Sequence, residues 1–409
     1  MLSHDTTAKL RSLVEQACGV NTGTTTEKHL KPLSFASVVI VSKESKSDRP
    51  EEVFAYAAGR PKLLSGNATD VDAKNSIYWM ASFTKLVTAI ACMQLVEQGK
   101  LALDDADQVE RLCPELRDVK YLADDGTLEQ KSGRITLRML LTHTAGFGYT
   151  FTNEKLRDWV GNRNPPISPA RQQFWNQPLV NQPGAKFEYG ISLDWAGFLV
   201  ERVTGTRLDE YMQRYIFEPL DIKDMSFFPD GDMKSRVLAM EQRLPDGHLK
   251  ARGHAWKYAL HVQDHNKPDT VRSGGAGLFG SPREYAKILA MLLNNGVSTT
   301  TGKQNPNYAR QYVPAAEPEL VYPSDGYYGL APPQMPQGWG LSFMISPSVT
   351  GRSDNTAHWS GMSNMFWWCD REKGVAGIVA SQVLPFADPE VGKLWAKVEA
   401  AVYEKTGKL

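Results

Sequence analysis

The sequence predicts an α/β protein of the α+β kind: one antiparallel sheet, flanked by helices and built from both ends of the chain, with a mostly helical domain inserted between them. Three observations carry this. Two β-branched and aromatic runs near the start make a hairpin pattern, three more such runs and a helical pattern close the chain, and the stretch between, from Thr84 to about Glu218, repeats at helical period. The expected boundaries are residues 1–100 and 220–409 for the split sheet domain and 101–219 for the helical insert, with a candidate site between them.

In order along the chain, Leu10, Leu13, Val14 and Ala17 recur at helical spacing and predict an amphipathic first helix. Strands follow at 35–42 and 52–57, separated by the charged, proline-containing turn 43–50. Within the middle of the chain, TKLVTAIACMQLVEQG, TLRMLLTHTAG, SLDWAGFLVERVTG and LDEYMQRYIF read as helices. Gly99, Gly146 and Gly205 follow three of them as C-caps, where a left-handed residue closes the last turn. Residues 161–183 and 299–338, rich in Pro, Asn, Gln and Gly without a period, read as long loops. Residues 340–345, 364–370 and 375–381 read as strands, the last two joined by the turn REKG, and 388–405 as a closing helix.

The 409 residues carry 46 basic and 46 acidic side chains. That balance gives no global positive field for nucleic acid or an anionic membrane surface. Four cysteines, Cys18, Cys92, Cys113 and Cys369, form neither a CxxC pair nor a disulfide framework, which points to a reduced compartment. The first residues lack the basic and apolar regions of a signal peptide, and no run approaches the ~20 apolar residues of a membrane span. The expectation is a cytoplasmic enzyme or binding protein that engages neither nucleic acid nor membrane.

Ser82-Phe83-Thr84-Lys85 opens the apolar run that continues to Gly99. Residues i and i+3 share a helix face, so Ser82 and Lys85 point the same way from the first turn. The N–H groups and positive dipole of that turn favour negative charge developing there. A serine hydroxyl needs a neighbour to take its proton, and a lysine whose pKa is lowered by desolvation is one such group. The tetrapeptide alone reads more readily as a chance match or an N-capping serine.

Three further segments change that balance: Leu140-Leu141-Thr142-His143-Thr144-Ala145-Gly146, the P-G turn leading through Pro183-Gly184-Ala185-Lys186-Phe187-Glu188 to Tyr189-Gly190, and Gly274-Gly275-Ala276-Gly277-Leu278. In this order and over nearly the whole chain, the sequence resembles the serine β-lactamase and penicillin-binding-protein superfamily, in its class C-like esterase branch. The runs YGISLDWAGFLVERVTG and RITLRMLLTHTAGFGYTF look most like those of fungal lovastatin-type acyltransferases, which move an acyl group from a carrier protein to a polyketide alcohol. The resemblance implies a β-lactamase-like fold, Ser82 as the acylated nucleophile, Lys85 as its partner and Tyr189 as the base that activates the acceptor. A phenol facing an ammonium is biased toward phenolate, the state expected for Tyr189.

The family's Y-x-N motif has Ile191 and Ser192 at its candidate positions, so Ser192 is expected to take the asparagine's role with a shorter reach. Its cationic third motif is matched by Trp359-Ser360-Gly361, without a lysine. That absence argues against a β-lactam or peptide carboxylate and for a neutral ester or thioester. The resemblance implies an oxyanion hole from the amides of Ser82 and Met362. His358, one residue upstream on an alternating strand, points to the opposite face and reads as structural. Phe147, Tyr149, Phe151, Trp159, Phe174, Trp175, Tyr327, Tyr328 and Trp339 crowd the loops expected around the site. Of these, Phe147, Tyr149, Trp175 and Tyr327, with Ser192, Trp359, Ser360 and Gly361, are the expected substrate contacts, forming an apolar gorge.

His261 and His265 stand at i, i+4 near His254, but Val262 replaces the zincin glutamate and Pro268 breaks the helix, so no metal and no cofactor is expected. The expected reaction is ping-pong acyl transfer from a carrier-protein or CoA thioester through acyl-Ser82 to a hydroxyl or amine of a bulky apolar secondary metabolite. The donor partner is an acyl carrier domain of a polyketide or peptide synthase. A carboxylesterase or lactone hydrolase of the same fold is the alternative, and an inactive binding protein the third reading.

Overall fold

The structure, a computed structural model, describes residues 2–20, 32–43, 49–161, 176–262, 264–267, 270–302 and 338–404. Its main sheet has seven strands: β1 (Phe35–Ser42), β2 (Glu51–Gly59), β3 (Gly338–Trp339), β4 (Met344–Ile345), β5 (Ala357–Gly361), β6 (Met365–Asp370) and β7 (Val375–Ala380). They lie in the order β3-β4-β5-β6-β7-β1-β2, every pair antiparallel. The helices that matter here are α1 (His4–Ala17), α2 (Thr84–Glu97), α3 (Leu137–Leu141), α4 (Ser192–Thr204), α5 (Pro282–Leu293) and α6 (Pro389–Tyr403).

Strand alternation sorts the two cores. Ala36, Val38, Ile40, Phe366, Trp368 and Val379 turn to one face and meet Leu10 and Val14 of α1 and Leu394, Trp395 and Val398 of α6. Val39, Val41, Trp367, Cys369, Ile378 and Ala380 turn to the other, against α5 and α2. The closing helix starts where Asp388 caps it, its carboxylate accepting from the amides of Glu390 and Val391. Helix α2 is buried from Thr84 to Leu95, because it is sandwiched between the sheet-side core and α4.

Three expectations need correction. Of the strand expected at 340–345 only Met344–Ile345 is extended, as β4; 340–343 is a tight turn from β3, with Gly340 N donating to Phe343 O at 2.8 Å and Ser342 left-handed at φ 81°. The strand expected from 364 starts one residue later. Asn364 takes φ 58° and spends its side chain on Val383 O, Pro385 O and the Asp388 amide, which ties that turn to the start of α6. Gly146 is not a C-cap: α3 ends at Thr142. Gly146 instead sits at φ 96°, where any Cβ would lie 2.1 Å from Asn181 O. Gly205 is the left-handed cap of α4, and Gly99 (φ 68°) follows the last residues of α2.

Candidate active site

Ser82 lies in a 3-10 turn, Ala81–Phe83, that feeds α2, rather than in the helix itself. The turn is anchored by Thr84, whose Oγ1 donates to Ala81 O at 2.7 Å and accepts from Leu278 N at 3.0 Å, and Ala81 holds φ 46°. One turn on, Lys85 reaches back: its Nζ is 3.0 Å from Ser82 Oγ, 2.8 Å from Gly275 O and 3.3 Å from Tyr149 Oη. The Tyr189 hydroxyl donates to Ser82 Oγ at 2.8 Å and accepts from Trp359 Nε1 at 3.1 Å.

Each partner is delivered by its own element. Tyr189 sits just before α4 on a backbone pinned by Gly190, where a Cβ would be 2.2 Å from Phe147 O. Gly190 N donates to His143 Nδ1 at 3.3 Å, and the Glu188 carboxylate accepts from Asn153 and Asn181. Trp359 faces Tyr189 from β5, whose last residue, Gly361, comes so close to the Ser82 turn that a Cβ would be 2.8 Å from Met80 O.

Burial dominates the electrostatics. With no solvent to stabilise an ammonium, the Lys85 pKa falls to about 7, although the Asp194 carboxylate pulls the other way. The phenol of Tyr189 is pushed up by burial, more than its hydrogen bonds to Ser82 and Trp359 bring it down. That direction runs against the phenolate expectation, because burial disfavours the charged form of the phenol. Asp194 is pushed up by burial and drawn down by Ser273, Lys85 and the Gly275 amide.

The structure thus brings Ser82, Lys85, Tyr189, Trp359 and Gly361 together, with Tyr149 touching Lys85. Met362 is the residue after Gly361, which abuts the Ser82 turn. Other expected contacts lie elsewhere. Phe147 is fully buried against Trp195, a core residue and not a pocket wall. Ser360 pairs across the sheet with Phe366, which stacks on Trp395 of α6, so alternation turns it away from Ser82. His358 faces the same way, 2.8 Å from Ser346 Oγ and 3.2 Å from Arg352. Ser192 Oγ is buried without a hydrogen-bond partner among the described residues and does not reach Lys85. Trp175 and Tyr327 lie outside the described residues.

Sequence reasoning missed Asp194, Ser273 and His143. The ring of His143 lies 4.7 Å from that of Tyr189 and 5.3 Å from that of Trp339. Asp194 meets Ser273 and Gly275 across 79 and 81 residues, and His143 meets Gly190 across 47, so no local pattern marks them. Among the described residues no cluster of three His, Cys, Asp or Glu could hold a metal; His254 accepts from Trp256 N, and His265 stacks on Phe228. No helix among them is long and apolar enough to cross a membrane.

Against this geometry, comparison with known proteins is specific. The beta-lactamase family model matches residues 49–401. The chain is 32% identical over 344 residues to a monacolin J acid methylbutanoyltransferase of Aspergillus terreus, covering 79% of this chain and 81% of that protein. It is 31% identical over 383 residues to a lovastatin esterase of Penicillium rubens, covering 86% and 91%. Among solved structures, simvastatin synthase from Aspergillus terreus superposes with a TM-score of 0.81 at 26% identity over the full length of both chains.

Proposed function

Because this chain belongs to the beta-lactamase family, we propose that it is a serine acyltransferase that carries its acyl group on Ser82 and passes it to a hydroxyl or amine of a bulky, neutral acceptor. The observation that carries this is the shared contact of Ser82 Oγ with Lys85 Nζ and the Tyr189 hydroxyl, at 3.0 and 2.8 Å. Lys85, neutral above about pH 7, takes the Ser82 proton as Oγ bonds to the acyl carbon of a thioester. The carbonyl electrons move onto oxygen, held by the amides of Ser82 and Met362. Collapse returns them, breaks the carbon–sulfur bond, and the leaving thiolate receives the proton from Lys85. The acceptor hydroxyl then gives its proton to Lys85 as its oxygen attacks the acyl-Ser82 carbon, and on collapse the carbon–Oγ bond breaks and Lys85 returns that proton to Ser82 Oγ. Tyr189, a neutral phenol oriented by the Trp359 indole, keeps its proton and donates a hydrogen bond to Ser82 Oγ as that oxygen leaves.

A neutral substrate follows from what faces Ser82. Lys85 is the cation in contact with Ser82 among the described residues, while His358 and Arg352 lie across the sheet. The donor we propose is a CoA thioester or an acyl group on a carrier domain of a polyketide or peptide synthase, in keeping with the acyltransferase relatives. The esterase relative supports a second outcome, capture of the same acyl-serine by water. Intact contacts among Ser82, Lys85 and Tyr189 speak against an inactive binding protein.

The partition of the acyl group tests the reading. With a short branched acyl thioester and an increasing concentration of an alicyclic alcohol, ester is expected to accumulate at the expense of free acid. Free acid alone, at every alcohol concentration, would make the chain a hydrolase.

A further inference from the structure

On the side of Lys85 away from Ser82 lies a glycine-rich loop, residues 273–277, wrapped around one buried carboxylate. Asp194, from the first turn of α4, is 2% exposed. Its Oδ1 accepts from Ser273 Oγ at 2.5 Å and from Gly275 N at 3.2 Å. The same Gly275 turns its carbonyl to Lys85 Nζ at 2.8 Å, so one peptide residue connects the carboxylate to the amine. The loop cannot move off: a Cβ on Gly275 would stand 2.6 Å from Asp194 Oδ2 and one on Gly274 2.5 Å from Leu193 O, while Gly274 O accepts from Thr88 Oγ1 of α2 at 2.7 Å.

A carboxylate this deep is costly unless it has a charge to face. The groups that face Lys85 are few. Ser82 lies on its own turn, Tyr149 comes from the loop after α3, Tyr189 and Asp194 come from the start of α4, and Gly275 O comes from the loop. Buried His143 lies near enough to feel the Lys85 charge and is itself held neutral, well below its usual range. Asp194 is therefore the anion of this cluster.

We propose that Asp194 is a positioning residue for the acyl-transfer reaction, holding Gly275 O against Lys85 and supplying the negative charge that lets the buried amine hold the proton it takes in each half-reaction until the leaving group receives it. The proposal rests on Lys85 acting as the base for Ser82. In its absence the amine would be a poorer proton store: it would take the Ser82 proton less readily and fail to hold it for the leaving group. The charge also explains why the loop must be glycine at 274 and 275, since the carboxylate and the α4 backbone occupy the space of both side chains.

The test is the pH dependence of Ser82 labelling by a fluorophosphonate in the full-length protein. The wild type is expected to show a limb rising through about pH 7. In Asp194→Asn the limb moves to lower pH by about one unit, since removing a nearby anion lowers an amine's pKa, with slower turnover on the acyl thioester. Asp194→Ser, which also removes the charge, moves it the same way, and serves if Asp194→Asn does not fold. A limb unmoved, or moved to higher pH, in either folded variant overturns the role of Asp194. A wild-type protein that is not labelled at Ser82 at all overturns the underlying reading instead.

Discussion

Lys85 is placed where its two protonation states are close in energy, which suits the proposed role of a base shared by two half-reactions. Burial lowers its pKa to about 7, while Ser82, Gly275 O and Tyr149 hold its nitrogen in place. The sign is fixed: only the neutral amine accepts the Ser82 proton, so acylation rises as pH passes upward through about 7 and levels above it. Lys85→Met is expected to slow acylation by roughly 10²–10⁴-fold and to abolish that limb, read from stopped-flow release of a chromogenic thiol. That Ser82, Lys85 and Tyr189 come together was legible in the sequence because short motifs hold them. Asp194 was not, because its partners lie 79 and 81 residues away at Ser273 and Gly275, and a lone aspartate in an amphipathic helix looks like any solvated one.

At the scale of elements, the site depends on the end of β5 abutting the turn that carries Ser82. Gly361 permits that approach, since its missing Cβ would stand 2.8 Å from Met80 O. Gly361→Val is expected to push the two apart, misplacing the amides proposed to hold the oxyanion, and to cost roughly 10²–10³ in kcat. Steady-state kinetics with a soluble thioester read this out, and a normal kcat would remove β5 from the site. Strand alternation also accounts for one correct reading and one misreading. It assigns His358 correctly to the far face, and applied to Ser360 it sends that side chain the same way, toward Phe366, instead of to substrate. The turn at 340–343 was illegible because its apolar residues mimic a strand, and only the left-handed Ser342 breaks it.

At the scale of the whole molecule, the main sheet is made from both ends of the chain, with the site on one face and the α1–α6 layer on the other. The sheet was readable because hairpins and closing helices are local patterns. The shared core that links α2 and α4 to the sheet side was not, since helix α2 is apolar all round and shows no preferred face. Trp395 of α6, fully buried on Phe366, lies across the sheet from Ser82. Trp395→Ala is expected to cost about 3–5 kcal/mol in urea unfolding while the folded protein labels at the wild-type rate. The central claim, a covalent acyl group on Ser82, is tested most directly by the intact mass of the protein after brief exposure to an acyl thioester. The account predicts one added acyl group, absent in Ser82→Ala and discharged when an alcohol acceptor is added. A mass unchanged by thioester, or an adduct that forms equally on Ser82→Ala, would contradict it.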